Sequence, residues 1–381
     1  MATTTVNLDD LRELAAFRAE NGCAISLYLD LDPSVAPTAG DTATRVRSLL
    51  DAGSKSHGAR RSDLPHEVRQ GLRADFERLE RYFDGEFDRD GAHGVAIFAA
   101  GLDNVWSVLQ LPSSVPDTVR VADDFLLAPL VPLVGRGDGA LVAVVGREQG
   151  RVLALRRGRL EEIADRSEEA PGRHDQGGWS QARFQRHIEN LDQEHYRNVA
   201  DELERAFRRL RRPRIVLVGT EEVRAEFAEA LSTEIQDAIV GSVTAEAHAT
   251  DAELETVALP PLERWRSSRE SDVVERWREE AGRNARAASG WEKTLEAASD
   301  GRVELLLYQR GAQRDAFRCP ACGRAALEAS TCPLDGTTME PRDDGLDLAV
   351  RQTLAHGGDV LAVEYRHDLD PVEGIGAILR F

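Results

Sequence analysis

The hydrophobic positions of the first 136 residues follow helical spacing in some stretches and strand-like spacing in others. Leu72, Phe76, Leu79 and Tyr82 recur at helical intervals, which predicts one long helix. Unbroken apolar runs flanked by turn residues predict strands. The predicted helices span residues 11–21, about 43–50 and 64–82, and the predicted strands span 24–31, 94–100 and 105–109. Cys23, at the start of the first strand, has the character of a small buried hydrophobe.

A glycine cluster at residues 132–139 separates this segment from a second one that begins with a hairpin. Its long helix is predicted from apolar residues at helical spacing, which are Phe184, Ile188, Leu191, Val199, Leu203, Phe207 and Leu210. The other predicted elements are strands at 140–146, 151–155, 215–219 and 239–243 and helices at 221–231 and 262–288. Strands that alternate with helices in this way predict an α/β layer structure.

A third segment repeats the alternation between helices and strands. Its predicted helices span residues 291–299 and 346–355, and its predicted strands span 303–308, 360–364 and 374–381. The sequence therefore predicts an α/β fold in three domains, with limits at residues 1–136, 137–289 and 290–381.

Length and composition agree with a multidomain protein. The chain has 381 residues, of which 41% are hydrophobic, and a formal net charge of −19. Such a charge argues against non-specific coating of nucleic acid, although a local basic face is compatible with it. Asp9, Asp10 and Arg12 interrupt the N-terminus before any apolar run, and no run reaches the roughly 18–20 residues needed to cross a membrane. We therefore expect a cytoplasmic protein without a membrane partner.

The segment between the hairpin and the long helix carries unusual chemistry. Gly177 and Gly178 remove two adjacent side chains, so the backbone there can approach another molecule closely. Ser180 is a natural N-cap for the helix that follows. A flexible tip on a rigid helix can present backbone amides and a few side chains far from the protein's own core.

The same residues resemble the central-domain signature of archaeal and eukaryotic class-I peptide chain release factors, in which Gly-Gly-Gln is followed by Ser and then Arg-Phe-x-Arg. Gly177, Gly178, Ser180, Arg183, Phe184 and Arg186 fall in that register without a gap, but Trp179 stands in the glutamine position. The resemblance extends to the bacterial and archaeal branch with Pelota, the Vms/Ankzf-type peptidyl-tRNA hydrolases and the Balon hibernation factors. The closing residues 374–381 are also similar to the end of the release factors' third domain.

The resemblance implies a fold and a working place. It implies an α+β N-terminal domain, a ribonuclease H-like central domain and a C-terminal domain similar to L7-type RNA-binding proteins, acting in the ribosomal A site on peptidyl-tRNA. A translational GTPase is a candidate partner. The stop-codon tetrapeptide Asn-Ile-Lys-Ser does not occur, and Lys55 is interpreted as a solvated residue of a polar loop.

Trp179 leaves three interpretations of the tip open. Gln181 can take over the role of the family's glutamine, whose amide positions water beside the ester, while backbone N–H groups at Gly177 and Gly178 stabilise the oxyanion. Trp179 can instead stack on an RNA base and block the site without hydrolysis. In the third interpretation, Trp179 packs against its own domain.

A rival enzyme interpretation takes Ser180 as the nucleophile of a Gly-x-Ser-x-Gly elbow, with His174, His187 or His195 as its base. That motif needs a preceding strand and a second glycine, whereas a polar segment precedes Ser180 and Ala182 occupies the last position. Without a Walker phosphate loop or a dinucleotide fingerprint in the sequence, we expect no nucleotide hydrolysis by this chain.

Arginines are frequent around the tip and along the long helix. Arg156, Arg157, Arg173, Arg183 and Arg186, together with Arg159, are assigned to phosphates near the tRNA acceptor end. Trp179 and Ser180 complete the predicted RNA-binding set. A second run from Arg205 to Arg214 fits either an RNA-binding ridge or an ordinary solvated helix, because Glu202 and Glu204 lie among the arginines.

Two similar knuckles lie within residues 317–341. Cys319-Pro-Ala-Cys322-Gly is followed, after nine residues, by Cys332-Pro-Leu-Asp335-Gly. This spacing predicts a zinc-ribbon-like insert with a structural zinc ion held by Cys319, Cys322, Cys332 and Asp335. The alternative is a knuckle that folds without metal.

Taken together, the sequence predicts a ribosome A-site-binding, release-factor-like protein. The first predicted function is hydrolysis of peptidyl-tRNA on terminating or stalled ribosomes, with Gly177, Gly178 and Gln181 as the catalytic residues. The second is a non-catalytic rescue or hibernation factor that occupies the same site.

Overall fold

The structure is a computed structural model, and it describes residues 6, 8–32, 34–35, 38–60, 64–89, 91–134, 140–156, 159–167, 181–210, 212–246 and 248–381. Within these ranges the side chains of residues 39, 56–60 and 181–191 are left undescribed. The described chain is a mixed α/β structure with several sheets, which confirms the predicted fold class. No helix in this part of the chain is long and apolar enough to cross a membrane.

The N-terminal segment contains three α-helices and four strands in the described residues. These are α1 Leu8–Ala16, β1 Ala24–Asp30, α2 Ala39–Arg60, α3 His66–Arg81, β2 Gly94–Ala100, β3 Val105–Leu111 and β4 Thr118–Ala122. The prediction missed β4 and placed the first helix at 11–21, beyond its observed end. Lys55 lies in α2, not in a loop, and pairs with Asp51 at 2.5 Å between Nζ and Oδ2.

The middle of the chain contains five strands and three complete helices in its described residues, and then the long helix α7. The elements are β5 Ala140–Val145, β6 Gly150–Arg156, β7 Arg159–Asp165, α4 Gln181–Arg209, β8 Arg214–Val218, α5 Glu221–Glu229, α6 Thr233–Ala238, β9 Ile239–Val243 and α7 Asp251–Gly282. The prediction missed β7 and α6 and started the last helix at residue 262.

The last described part consists of short strands and two helices. They are β10 Ala287–Ser289, α8 Trp291–Ser299, β11 Val303–Gln309, β12 Ala316–Arg318, β13 Ala325–Ala326, β14 Glu340–Arg342, α9 Gly345–Ala355, β15 Asp359–Val363 and β16 Ile375–Leu379. Here the predicted helices at 291–299 and 346–355 agree with α8 and α9 to within one residue.

The chain forms two compact units, one from residues 1–136 and 269–381 and the other from residues 137–268. The three-domain limits drawn from the sequence stay a prediction. The first unit holds an antiparallel sheet of order β3-β2-β1-β4, a mixed sheet of order β10-β16-β11-β15 and the small sheet β13-β12-β14. The second unit holds one sheet of order β7-β6-β5-β8-β9, in which β5, β8 and β9 run parallel.

Both faces of β1 are buried, which explains its nearly continuous apolar sequence. Ile25, Leu27 and Leu29 pack with α2 and α3. On the opposite face, Tyr28 shares a core with apolar residues from the end of the chain, including Trp291, Leu306, Tyr308, Leu346 and Val350. Residues 1–136 and 269–381 therefore fold around a common core.

In the second unit the sheet is also covered on both faces. The described half of α4 packs on one face through Tyr196, Val199, Leu203 and Phe207. Leu254, Ala258 and Leu262 of α7 pack on the other. A Cβ atom on Gly241 would lie 2.5 Å from Cβ of Pro261, so the missing side chain in β9 lets the proline-containing turn of α7 approach the sheet.

Candidate functional site

The helix α4 contains Arg183, Phe184 and Arg186 of the segment that resembles the release-factor signature. It spans 29 residues, Gln181–Arg209, and is therefore roughly 43 Å long. Val199 packs closely against β6, since a Cβ atom on Gly150 would lie 2.1 Å from its Cγ2. The helical spacing predicted for Val199, Leu203 and Phe207 is confirmed, because all three are buried against the sheet.

Most of the predicted tip lies outside the described residues. This applies to Arg173, Gly177, Gly178, Trp179 and Ser180, and also to Arg157 on the hairpin. For Gln181, Arg183 and Arg186 the helical backbone is described but the side chains are not. Their assignments as catalytic or RNA-binding residues therefore stay predictions.

Arginines of both predicted RNA-binding groups occur among the described residues. Arg156 lies at the end of β6 and pairs with Glu161 at 3.2 Å between Nη1 and Oε2, with 39% of its side chain exposed. In the second arginine run, Arg205, Arg208 and Arg212 pair with the carboxylates of Glu202, Glu204 and Glu234, respectively. These pairs favour the interpretation of that run as a solvated helix surface.

The four predicted metal ligands come together in the insert. The ligand atoms of Cys319, Cys322, Cys332 and Asp335 all lie within 4.8 Å of one another. Cys322 Sγ is 3.5 Å from Cys332 Sγ, and Cys319 Sγ is 3.4 Å from Asp335 Oδ2. A tetrahedral zinc ion with these ligands would give separations of about 3.5–3.8 Å, close to these two distances.

The two knuckles share one backbone geometry. In the first, Cys319 N donates to Arg324 O at 2.8 Å and Gly323 N donates to Cys319 O at 2.9 Å. In the second, Cys332 N donates to Thr337 O and Gly336 N donates to Cys332 O at the same two distances. Gly323 and Gly336 both have positive φ, +78° and +73°, which a glycine adopts without strain. Asp335 thus occupies the position that Cys322 has in the first knuckle.

The two groups differ in ionisation, because the Cys322 thiol is held protonated whereas the Asp335 carboxyl is ionised. Burial raises the pKa of the Cys322 thiol to about 12, and hydrogen bonds to neighbouring ligand atoms add to the shift. Asp335 has a pKa lowered to about 2, first because the backbone N–H of Thr337 donates to its carboxylate. A bound cation would favour the Cys322 thiolate, the form that binds metal, and so offset the effect of burial.

The insert is attached to the rest of its unit around the first knuckle. Gln352 of α9 donates from Nε2 to Gly323 O at 2.6 Å, and Arg18 donates to Pro320 O at 2.6 Å. Arg324 pairs with Asp300 at 2.5 Å. These contacts fix the first knuckle, while Leu334 in the second is 70% exposed.

A buried ionic cluster that the sequence did not predict lies beside the insert. Asp124, whose side chain is 1% exposed, pairs with Arg120 and with Arg318 at 2.7 Å, and lies 3.3 Å and 3.5 Å from Arg342 and Arg351. Asp347, equally buried, accepts from the backbone N–H of Leu127 at 2.5 Å and from Arg120 at 3.1 Å. The available signal was the Asp123-Asp124 pair directly before the apolar run at 125–134.

This ionic cluster, formed by Arg120, Asp124, Arg318, Arg342, Asp344, Asp347 and Arg351, joins the two ends of the chain. Arg120 and Asp124 come from the N-terminal segment, and the other five come from residues 318–351. Tyr308 adds a neutral link, because its hydroxyl donates to Ala128 O at 3.2 Å. The cluster therefore contributes polar contacts to the core that residues 1–136 and 269–381 share.

The comparisons with known proteins agree with the sequence resemblance. Residues 126–261 match the family model described as Bacterial archaeo-eukaryotic release factor family 10. Peptide chain release factor subunit 1 of Archaeoglobus fulgidus is 26% identical over 403 residues, covering 97% of this chain and 96% of that protein. The corresponding protein of Thermoplasma acidophilum is 22% identical over 405 residues, covering 97% and 94%.

Solved structures from the same group align along the whole chain, with low TM-scores. An archaeal translation termination factor gives a TM-score of 0.27 at 16% identity, covering 99% of both chains. A model of ribosome-bound archaeal Pelota and ABCE1 gives 0.41 at 13% identity, covering 100% of this chain and 95% of the other. TM-scores of this size do not establish a common arrangement, so the assignment depends on the sequence matches. The sequence matches support assignment of the chain to the archaeal and eukaryotic release-factor-like superfamily.

Proposed function

We propose that this protein is a ribosome-binding translation factor that enters the A site and hydrolyses the ester of peptidyl-tRNA. The observation that carries the proposal is the register of Gly177, Gly178, Ser180, Arg183 and Arg186 within the region that matches the release-factor family model. Full-length similarity to an archaeal release factor subunit supports it. The described helix α4 gives the proposed tip a rigid base.

Hydrolysis of the ester needs a positioned water molecule and stabilisation of the developing oxyanion. In the proposal, the Gln181 side-chain amide aligns the water, because it offers both a donor and an acceptor. Backbone N–H groups at Gly177 and Gly178 donate to the oxyanion. Trp179, Ser180, Arg173, Arg183 and Arg186 would contact RNA near the acceptor end, with Arg156 and Arg157 on the neighbouring hairpin.

The test is peptide release from purified ribosome–peptidyl-tRNA complexes under single-turnover conditions. Gln181→Ala is expected to lower the release rate at least tenfold, whereas Gln185→Ala, one helical turn further on, is expected to leave it unchanged. Equal rates for wild type and Gln181→Ala would remove that residue from the mechanism. No release by the wild-type protein, together with binding to the same complexes, would contradict hydrolysis.

Trp179 supports a second candidate function. An indole in the position of the family's glutamine has no acceptor and cannot align water in the same way, but it can stack on a base. In this alternative the protein occupies the A site as a rescue or hibernation factor without hydrolysis. Trp179→Ala would then weaken ribosome co-sedimentation, and Gln181→Ala would not.

We also propose that the insert binds a structural zinc ion through Cys319, Cys322, Cys332 and Asp335. Three sulfurs and one carboxylate oxygen, at separations that suit a tetrahedron, support zinc over a hard cation such as magnesium. With four protein ligands the site would be closed to substrate and would stabilise the insert. A translational GTPase is proposed as a delivery partner, on the ground of the resemblance to release factors alone.

A further inference from the structure

A groove of about 940 Å³ lies beside the ionic cluster, entirely within the unit of residues 1–136 and 269–381. One wall is formed by the end of β4, and the other by β12 and β14 of the insert sheet with the residues that follow. This volume is at the upper end of the roughly 300–1,000 Å³ typical of ligand sites. The groove is therefore large enough to hold several residues of a partner.

Each wall of the groove includes the edge strand of a sheet. β4 is the last strand of the order β3-β2-β1-β4, and β14 is the last strand of β13-β12-β14. In the described chain no further strand pairs with either of them. Such an edge presents backbone N–H and C=O groups that can pair with an added extended peptide. Pro341 removes one donor from β14, so β4 is the better edge for pairing.

The lining of the groove combines apolar and acidic side chains. Val121, Phe317 and Pro341 contribute apolar surface. Its described lining residues include five carboxylates and two guanidinium groups. These charged residues are Arg120, Asp123, Asp315, Glu340, Arg342, Asp343 and Asp344. The lining therefore carries an excess of negative charge.

The two guanidinium groups are already paired with carboxylates. Arg120 lies 2.7 Å from Asp344, and Arg342 lies 2.8 Å from the same carboxylate. Both arginines also contact the buried Asp124. In contrast, Asp315 and Glu340 are exposed, and no ion pair joins either of them to another described residue. The groove thus offers carboxylates to a ligand and has little positive charge left for an anion.

We propose that this groove binds an extended segment of a partner protein in which lysine or arginine alternates with apolar residues. The cationic side chains pair with the exposed carboxylates of Asp315 and Glu340, and the apolar side chains cover Phe317 and Pro341. The backbone of the segment pairs with the outer edge of β4. The groove excludes nucleic acid, because the phosphates of a nucleic acid would be repelled by the unpaired carboxylates of Asp315 and Glu340.

The test uses the full chain and a fluorescein-labelled peptide of four Arg-Val repeats, with binding followed by fluorescence anisotropy at low and physiological salt. The groove variant is Asp315→Asn with Glu340→Gln. The matched control, Glu229→Gln with Asp237→Asn, makes the same charge change at two exposed residues of α5 and α6. Loss of two exposed ion pairs is expected to weaken binding about 2- to 30-fold in the groove variant only.

Hydrogen exchange supplies a second readout that does not depend on charge. The peptide is expected to slow exchange of backbone amides in residues 118–122, and a peptide of four Glu-Val repeats is not. Equal weakening in both variants, or unchanged exchange at β4, would overturn the proposal. It would also be overturned if spermine protected β4 as well as the peptide does, or if the groove variant abolished self-association of the wild-type chain.

Discussion

Replacement of Asp124 by asparagine tests whether the ionic cluster holds the two ends of the chain together. The change keeps the size of the side chain and removes its charge. Asp124 is 1% exposed and lies among the guanidinium groups of Arg120, Arg318, Arg342 and Arg351, whose side chains are only 7–16% exposed. The variant therefore leaves buried positive charge without its central counterion.

The expected cost follows from that burial. Breaking a buried ion pair by removing one partner typically costs about 3–5 kcal/mol, because the other charge stays desolvated. Asp344 and Asp347 still compensate part of the charge, so we expect about 3 kcal/mol. For a unit of this size, 1 kcal/mol corresponds to a Tm change of about 2–4 °C. Asp124→Asn should therefore lower the Tm of that unit by roughly 6–12 °C.

Thermal and urea unfolding of the full chain would measure this change. The control is Asp51→Asn, which removes an exposed ion pair with Lys55 and should cost no more than about 0.5 kcal/mol. Because the chain has two units, the transition of the first unit should move and that of residues 137–268 should not. Equal destabilisation by the two variants would refute the argument that the cluster is a main contributor to the shared core.

The same cluster predicts a sensitivity to acid. Burial alone would raise the pKa of Asp124, but Arg351, Arg120, Arg342 and Arg318 outweigh it and hold the pKa well below its usual value. A carboxyl group with a lowered folded-state pKa contributes stability above its unfolded value of about 3.9, and this stability is lost as the pH falls further. Unfolding free energy should therefore decline below about pH 4 in the wild type, and less steeply in Asp124→Asn.

Three further predictions concern the insert, the last strand and the start of α7. The purified chain should contain one zinc ion per molecule by elemental analysis, and a metal-free wild type would contradict the proposal. Cys332→Ser should lose the ion, and Asp335→Cys should release it more slowly to a chelator. The control Cys23→Ser should retain it unchanged. Gly376→Ala should lower the unfolding free energy by about 1–3 kcal/mol, because a Cβ atom there would lie 2.7 Å from Trp277 Nε1. The control Gly282→Ala should be neutral or slightly stabilising, because no atom lies within 4 Å of a Cβ atom at that position. Thr250→Ala should cost about 1 kcal/mol in urea unfolding, since Thr250 and Glu253 form a reciprocal cap at the start of α7, and the exposed Thr256→Ala should cost less.

The periodicity of apolar residues predicted the long elements well, because their burial is periodic. The residues Val199, Leu203 and Phe207 of α4 form one buried stripe, and β1 and β2 are buried along their whole length. β4 is short and has only two valines, one on each side of Arg120, while β7 interrupts its apolar residues with the adjacent Glu161 and Glu162. Their strand conformation depends on pairing with β1 and β6.

The sequence-based prediction placed the start of α7 too late, because two local sequence signals disagree there. Pro260 and Pro261 argue for a helix that begins after them, yet α7 starts at Asp251 and continues through both. The reciprocal cap of Thr250 and Glu253 was visible in the sequence as Thr-x-x-Glu. Tertiary packing decides the outcome, since Pro261 fits against Gly241 in β9.

The candidate sites differ in how much of them the sequence could predict. The metal ligands are close in sequence and each pair sits in a short knuckle, so spacing alone brought Cys319, Cys322, Cys332 and Asp335 together. The groove and the ionic cluster join residues that are about 200 positions apart, such as Arg120 and Asp344. No local pattern encodes such a distance.

The shared core also changes what the ends of the chain can do separately. Tyr28, Phe98 and Phe125 from the N-terminal segment pack with Trp291, Tyr308 and Leu346 in one continuous cluster. An N-terminal fragment ending at residue 136 would expose this apolar face and leave Arg120 and Asp124 without their partners from residues 318–351. Such a fragment should therefore be unstable alone, although its own sheet is complete in the order β3-β2-β1-β4. The central residues 137–268 have separate cores on both faces of their sheet, and so they are the part of the chain best suited to fold alone.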